Sequence, residues 1–304
     1  MNQAPDVCLL MAVYRPRLDW LGAAVESALR QQGVRAELLL VDDGNEPPLE
    51  DLLRGVDDPR LRIVRLEHGG VAKARNVGVA STQARYLRLL DADDVFPPRS
   101  TARLVELMQG RDDLITYGAS MLCDAELRPL WKMSTGQQGD ARIASLFTRF
   151  HVRPGGVLCP RWLLEREPFD PSYRVSGDWE QMQRALEHVQ VRGTRQTLHL
   201  YRRHGSGITA RIEDGRDSAR RIVEAYLERH PEQRSTRLER DALAMLDATS
   251  ARVYASHHQP GKALRYLARG LRRDPLCLRH DLSQAGHLLT GRLARVLRPR
   301  SYAE

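Results

Sequence analysis

The sequence predicts an α/β fold built on a doubly wound, mostly parallel sheet, extended at its carboxyl end by helices. Three observations predict it. Short apolar runs alternate with stretches of helical periodicity through the first half of the chain. Aspartate clusters stop two of those runs abruptly. Beyond about Ile212 the strand signals end, and only helical patterns separated by prolines remain.

The elements follow in order. Val7–Ala12 reads as a buried strand, and Leu18–Leu29 as a helix with Gly33 placed to end it. Glu37–Val41 is a second apolar run, halted at Asp42-Asp43-Gly44. Leu61–Leu66 is a third, after which Gly69-Gly70 opens a helix over Val71–Ala80. Tyr86–Leu90 is a fourth strand and ends in Asp91-Ala92-Asp93-Asp94. Pro97-Pro98 precedes a helix from about Ser100 to Met108, and Leu114–Tyr117 reads as a fifth strand. This rhythm gives a parallel sheet whose carboxyl edge carries the acidic clusters, and that edge is where open α/β sheets bind ligands. Later, Ile222–Leu227, Leu238–Tyr254 and Ala263–Leu271 read as helices. The Ala/Tyr/Gly spacing around Tyr254–Gly270 suggests one helical-repeat hairpin. The expected organisation is a first domain over residues 1–211 and a helical region with a basic amphipathic tail over 212–304.

Composition bounds the class. With 304 residues, 42% hydrophobic and 28% charged, the chain can bury a large core and a smaller second one. Its apolar runs are too short for a transmembrane helix, and Met1–Asp6 lead straight into a strand without a signal-peptide pattern. Cys8, Cys123, Cys159 and Cys277 lack metal-ligand spacing, so free thiols in a reducing cytoplasm are expected. The net charge of +8 is matched by the stretch from Lys262 to Arg300, with ten basic residues against two acidic ones. There Ala285, Leu288, Leu289, Leu293, Val296 and Leu297 fall at helical spacing among arginines. Such a helix suits an anionic membrane surface, or packs back on its own domain with arginines in solvent. No aromatic platform is interleaved with the arginines, so nucleic acid is not the expected partner.

The chemistry lies in the polar residues after the strands. Asp91, Asp93 and Asp94 offer hard oxygen ligands for Mg²⁺ or Mn²⁺, and carboxylates this close repel each other without a cation. The plainer reading is a solvated acidic turn, with Asp94 capping the next helix. Asp42 and Asp43 read by themselves as turn residues. Lys73 and Arg75 lie on a helix opening at Gly70, whose amino end and cations suit a pyrophosphate; Lys73 alone is equally a solvated surface cation. Asp178 is a carboxylate fit to be a general base or to cap a helix starting near Trp179. Trp162 and Trp179 could stack on sugar faces or pack their helices.

Five features stand in a specific order: Ala12-Val13-Tyr14-Arg15, Val41-Asp42-Asp43-Gly44, Lys73-Ala74-Arg75-Asn76-Val77-Gly78, Leu89-Leu90-Asp91-Ala92-Asp93-Asp94 and Ser176-Gly177-Asp178-Trp179-Glu180. In that order they resemble the family-2 glycosyltransferases with the GT-A fold, a Rossmann-like nucleotide-sugar-binding architecture, over roughly Val7 to Thr209. The resemblance implies an inverting, metal-dependent transfer of a sugar from a nucleotide-sugar, expected to be a UDP-sugar, to an acceptor hydroxyl. It implies that Ala12, Val13, Tyr14 and Arg15 line the base pocket and that Asp43 accepts from the uracil imide. Asp93 would then ligate Mn²⁺ or Mg²⁺, with Asp91 and Ala92 beside ribose or metal and Asp94 completing the cluster. Asp178 would be the base, although Gly177 stands where the family carries Glu. Tyr201-Arg202-Arg203-His204 resembles the closing segment, with His204 as a further metal ligand, Arg202 or Arg203 near the diphosphate, and the loop Gly205–Thr209 ordering on donor. Arg153-Pro154-Gly155-Gly156 reads as a turn entering the acceptor side. The expected acceptor is a growing surface glycan, free or lipid-linked, at the inner face of the membrane. The rival readings are a non-catalytic nucleotide- or glycan-binding module on the same fold and a receiver-like domain phosphorylated on Asp42 or Asp43.

Overall fold

A computed structural model of the protein describes residues 5–133, 153–204 and 212–275. The amphipathic tail around Ala285–Leu297, the loop Gly205–Thr209 and Cys277 lie outside the described residues. The chain divides into two compact units, Met1–Ile208 and Thr209–Glu304.

The first unit is built on an eight-stranded sheet of order β3-β2-β1-β4-β7-β5-β6, with β8 paired to β5. The strands are β1 (Val7–Val13), β2 (Ala36–Asp43), β3 (Leu61–Leu66), β4 (Tyr86–Leu89), β5 (Leu114–Cys123), β6 (Pro129–Met133), β7 (Val157–Pro160) and β8 (Gln190–Arg202). The pairs β1–β2, β2–β3, β1–β4 and β5–β8 are parallel, while β7 runs antiparallel to both β4 and β5. Because β7 reverses direction between them, β4, β5 and β8 all end on one edge. That edge also carries the ends of β1 and β2.

Helices cover both faces. They are α1 (Leu18–Leu29), α2 (Leu49–Leu52), α3 (Val71–Ala80), α4 (Ser100–Met108), α5 (Arg161–Arg166) and α6 (Gly177–Ala185). Side chains alternate along β1, so Val7, Leu9 and Met11 join one core with Leu21 and Ala24 of α1 and Leu104 and Met108 of α4. Cys8 and Leu10 face the other way, into a second core with Ala72 and Ala74 of α3, Leu163 of α5 and Ala185 of α6. Each fully buried Leu contributes about 1.5–3 kcal/mol, which is why this alternation specifies the register.

Four differences from the sequence reading have physical reasons. First, β2 runs through Asp43, because the ladder continues through the pairs Val13↔Asp42 and Asp43↔Leu66; both aspartates close the strand instead of forming a turn after it. Second, β5 extends to Cys123, past the expected end at Tyr117. Gly118 and Ser120 break its apolar run, but β8 pairs along one side of it, and an added Cβ at Gly118 would meet Leu198 Cδ1 at 2.5 Å. Third, β8 reads as polar and was not legible as a strand, since Arg, Thr and Gln fill its first half. Fourth, α1 ends at Leu29 with Arg30 as its cap, so Gly33, at φ 72°, turns the following loop.

The second unit holds α7 (Ile212–Arg229), α8 (Arg237–Ser256) and α9 (Pro260–Arg273). Thr236 caps α8 by accepting from the Leu238 N–H. Ala251, Tyr254, Ala263 and Tyr266 pack between α8 and α9, with the two tyrosine rings stacked at 5.3 Å. No helix among the described residues is long and apolar enough to cross a membrane. Cys8, Cys123 and Cys159 are free and buried.

Candidate functional site

The site is assembled where β1, β2, β4 and β8 end. At the end of β2, Asp42 is fully buried and its carboxylate accepts from Asn45 N at 2.8 Å, Asn45 Nδ2 at 2.6 Å and Leu49 N at 3.0 Å. Asn45 in turn donates to Val13 O at 2.9 Å and accepts from Arg15 N at 2.6 Å. That bridge holds the Tyr14-Arg15 backbone, where Arg15 sits at φ 46°.

Asp43 is 2% exposed and accepts from Gly69 N at 2.8 Å, Gly70 N at 3.0 Å and His68 Nδ1 at 3.0 Å. Gly44 permits this approach, since an added Cβ would lie 2.8 Å from His68 N, and its φ is 77°. Gly70 caps α3, so the amino end of that helix already faces the Asp43 carboxylate, where the sequence reading placed a pyrophosphate. Tyr14, 40% exposed, stacks on His68 with ring centroids 3.9 Å apart. Ala12 lies half-buried, Val13 is buried and Arg15 is exposed beside this stack.

At the end of β4 two of the three acids are open. Asp91 has 41% of its side chain exposed and pairs with Arg75 of α3 at 2.9 Å. Asp93, 31% exposed, pairs with His204 Nε2 at 2.6 Å. Asp94 is buried: it accepts from Arg202 N and meets His199 Nε2, both at 2.8 Å. It therefore does not cap the next helix, whose cap is Arg99. Burial pushes the Asp94 pKa up, and the neighbouring charges of Asp91 and Asp93 push it the same way. Burial, aided by nearby Arg88, pushes His199 down to about 3. One oxygen from each of Asp91, Asp93 and Asp94 lies within 4.8 Å of the others, a donor set of hard ligands that fits Mg²⁺ or Mn²⁺.

The basic residues divide. Arg75 is buried against the ring of Phe169 and reaches Asp91. Lys73 is exposed, its side chain lying over Gly69 rather than at the carboxylates. Arg202 is buried, with Nε donating to Asp93 O at 2.7 Å, Nη1 to Ala125 O and its guanidinium over Trp20. It thus binds the aspartate turn itself, and Arg203 is the exposed cation of this segment. His204 also packs on Trp20, with ring centroids 4.6 Å apart.

Asp178 lies in the first turn of α6, two residues after the cap Ser176, so it is not the capping residue. Its half-exposed carboxylate has no hydrogen-bond partner among the described residues. The segment leading to it is tied to α3 by a reciprocal pair: Asn76 Nδ2 donates to Phe169 O at 2.8 Å, and Phe169 N donates to Asn76 Oδ1 at 2.9 Å. Gly177 leaves room for a side chain, since an added Cβ meets Tyr173 Cβ only at 3.6 Å. Trp162 is fixed elsewhere: its Nε1 donates to Asp112 O, just before β5, at the sheet edge opposite the aspartates. A sugar bound at the aspartates cannot stack on it. Arg153-Pro154-Gly155-Gly156 forms a short 3₁₀ turn entering β7.

Sequence reasoning missed Asn45, His68, His199 and Trp20. Asn45 and His68 sit in turns that read as ordinary polar loop, and Trp20 reads as a helix core residue. His199 has one usable signal, an isolated titratable residue flanked by leucines in Leu198-His199-Leu200.

A family profile described as Glycosyl transferase family 2 matches residues 8–169. The chain is 35% identical over 107 residues to the succinoglycan biosynthesis protein ExoO of Rhizobium meliloti (strain 1021), covering 35% of this chain and 30% of that protein. It is 24% identical over 250 residues to the glycosyltransferase GlyG of Streptococcus pneumoniae serotype 4, covering 77% of this chain and 80% of that one. The match thus spans under a third of ExoO's length and most of GlyG's. Among solved structures, S. aureus TarS 1-349 in complex with UDP-GlcNAc is similar at a TM-score of 0.59 and 14% identity, covering 86% of this chain and 89% of that chain. That likeness concerns the fold.

Proposed function

The chain belongs to glycosyl transferase family 2, and from that premise we propose that it moves a sugar from a UDP-sugar to an acceptor hydroxyl with inversion at C1. The observation that carries this reading is the pairing of two half-open carboxylates with distant side chains: Asp91 with the Arg75 guanidinium of α3, and Asp93 with the His204 imidazole beyond β8. Such pairs hold a site in order while leaving its ligand atoms exchangeable.

Asp91, Asp93 and His204 would hold Mn²⁺ or Mg²⁺. The bound metal supplies positive charge against the departing diphosphate. Arg75, released from Asp91, turns its bidentate fork to the same diphosphate. The ring of Tyr14 stacks on the base, with Ala12, Val13 and Arg15 beside it, and Asp43 has one remaining acceptor position for the imide. Arg202 contributes by holding the Asp93 carbonyl. Asp178 takes the acceptor proton as the new O–C1 bond forms and the C1–O bond to the diphosphate breaks; UDP leaves. The succinoglycan biosynthesis named for ExoO supports a glycan as acceptor, and the UDP-GlcNAc bound to TarS supports a UDP-sugar as donor. Lipid-linked acceptor chains would place the enzyme at the inner face of a membrane, with the basic tail against it.

The test is a calorimetric titration of UDP with and without Mn²⁺, followed by turnover of Asp178→Asn. Metal-dependent binding with transfer lowered by about 10³-fold or more in the variant is expected, the scale of a lost base. Unimpaired transfer by Asp178→Asn would remove Asp178 from the chemistry. UDP binding without donor turnover in the unaltered protein would favour the non-catalytic reading, towards which only Gly177 points.

A further inference from the structure

We infer that Asp94 is a positioning residue: it pins the end of β8 so that His204 meets Asp93, and it is not itself a ligand of the metal. The inference rests on the reading of Asp93 and His204 as metal-binding.

The Asp-x-Asp-Asp run presents three carboxylates, and the fold treats them differently. Asp91 and Asp93 are 41% and 31% exposed, whereas the Asp94 side chain is 1% exposed, although one of its oxygens lies within 4.8 Å of theirs. Its two oxygens hold two points of β8, the Arg202 N–H on Oδ1 and the His199 ring on Oδ2, each at 2.8 Å. His199 is itself 1% exposed and has no freedom to release Asp94. Its Nδ1 meets Ser120 Oγ of β5 at 3.0 Å, and an added Cβ at Gly155 would lie 2.4 Å from its Nε2.

Around this pair the aspartate turn and β8 are stitched at three further points. Val95 and Leu200 exchange backbone hydrogen bonds of 3.1 and 2.9 Å, and Arg202 Nε donates to Asp93 O at 2.7 Å. His204 lies two residues beyond Arg202, a reach of about 7 Å at most, so fixing Arg202 fixes where the imidazole can stand. It stands 2.6 Å from Asp93 Oδ2 and against Trp20. Two neighbouring acids thus each meet a histidine of one segment: Asp94–His199 inside and Asp93–His204 at the surface.

The two roles predict opposite results for one isosteric change. Asparagine at 94 can accept from Arg202 N and donate to a His199 Nε2 lone pair, so it keeps the pin, but a neutral amide is a poor ligand for a hard cation. Mn²⁺ affinity in the presence of UDP, measured on the full chain, should therefore stay within about threefold in Asp94→Asn. Asp94→Ala should weaken it by about 10- to 100-fold, the scale of lost outer-shell support. In a His204→Ala background, Asp94→Ala should add nothing. Loss of Mn²⁺ binding in Asp94→Asn comparable to that in Asp93→Asn would overturn the inference, as would additive losses in the double variant. If the unaltered protein binds no Mn²⁺, the metal reading itself fails. The pin is then decided by amide hydrogen exchange at Arg202 in metal-free protein. Faster exchange in Asp94→Ala than in Asp94→Asn supports the pin, and equal exchange overturns it.

Discussion

Asp42 and Asp43 at the end of β2 accept six hydrogen bonds between them, four from backbone N–H groups, one from the Asn45 amide and one from His68. Asp91 and Asp93 at the end of β4, two strands away on the same edge, are half open and each faces one side chain, Arg75 and His204. The acids look alike in sequence. Their difference teaches that a carboxylate's function follows from which donors reach it. Backbone amides that cannot leave make Asp42 and Asp43 part of the frame. Side-chain partners, which a rotamer change can move, leave Asp91 and Asp93 available. Asp94 belongs, by this criterion, with the β2 pair.

Breaking the comparison means finding an acid of one rim that behaves like the other. The largest expected effect is on the open rim: Asp93→Asn should lower metal-dependent turnover by about 10³-fold, several kcal/mol of charge stabilisation, with the urea midpoint nearly unchanged. A turnover within tenfold of the unaltered enzyme would show that Asp93 is not at the metal. Next is the closed rim. Asp42→Ala leaves the Asn45 and Leu49 amides buried without acceptors and should cost about 3 kcal/mol in urea unfolding. An unshifted midpoint would place Asp42 with the exchangeable acids. Third, Arg75→Ala should weaken UDP binding by about tenfold, the loss of one charge-assisted contact, while Lys73→Ala changes it less than about threefold. Equal losses would contradict the division between the buried, carboxylate-paired Arg75 and the exposed Lys73. The smallest effect sharpens the β2 rim: His68→Ala removes a half-exposed partner of Asp43 but neither glycine amide, and should cost under about 1 kcal/mol in the same assay.

How far these differences were legible depends on the range of the interaction behind them. The parallel half of the sheet could be read because β1 is an uninterrupted apolar run, β2 carries one over Leu38–Val41, β3 and β4 are apolar but for arginines, and the glycine pair before α3 announced that helix. Of the other half only the start of β5, Leu114–Tyr117, could be read. β5 is broken by Gly118 and Ser120, and β8 is polar over its first half. Their pairing is held by buried contacts at a separation no local pattern encodes, such as Ser120 with His199. Asp178 was identified by resemblance, whereas the Asn76–Phe169 pair that ties its segment to α3 spans 93 residues and left no trace in spacing.

Sequence alone determined the fold class, the family resemblance and the edge on which the acids gather, because apolar periodicity and strand-ending aspartates are local properties. Only the tertiary structure decided which acids are free. That choice is made by donors arriving from Gly69, Leu49, Arg202 and His199, and by burial, which separates Asp93 from Asp94 although they are adjacent in the chain. A carboxylate's identity is written in one residue; its solvation and its partners belong to the packed chain.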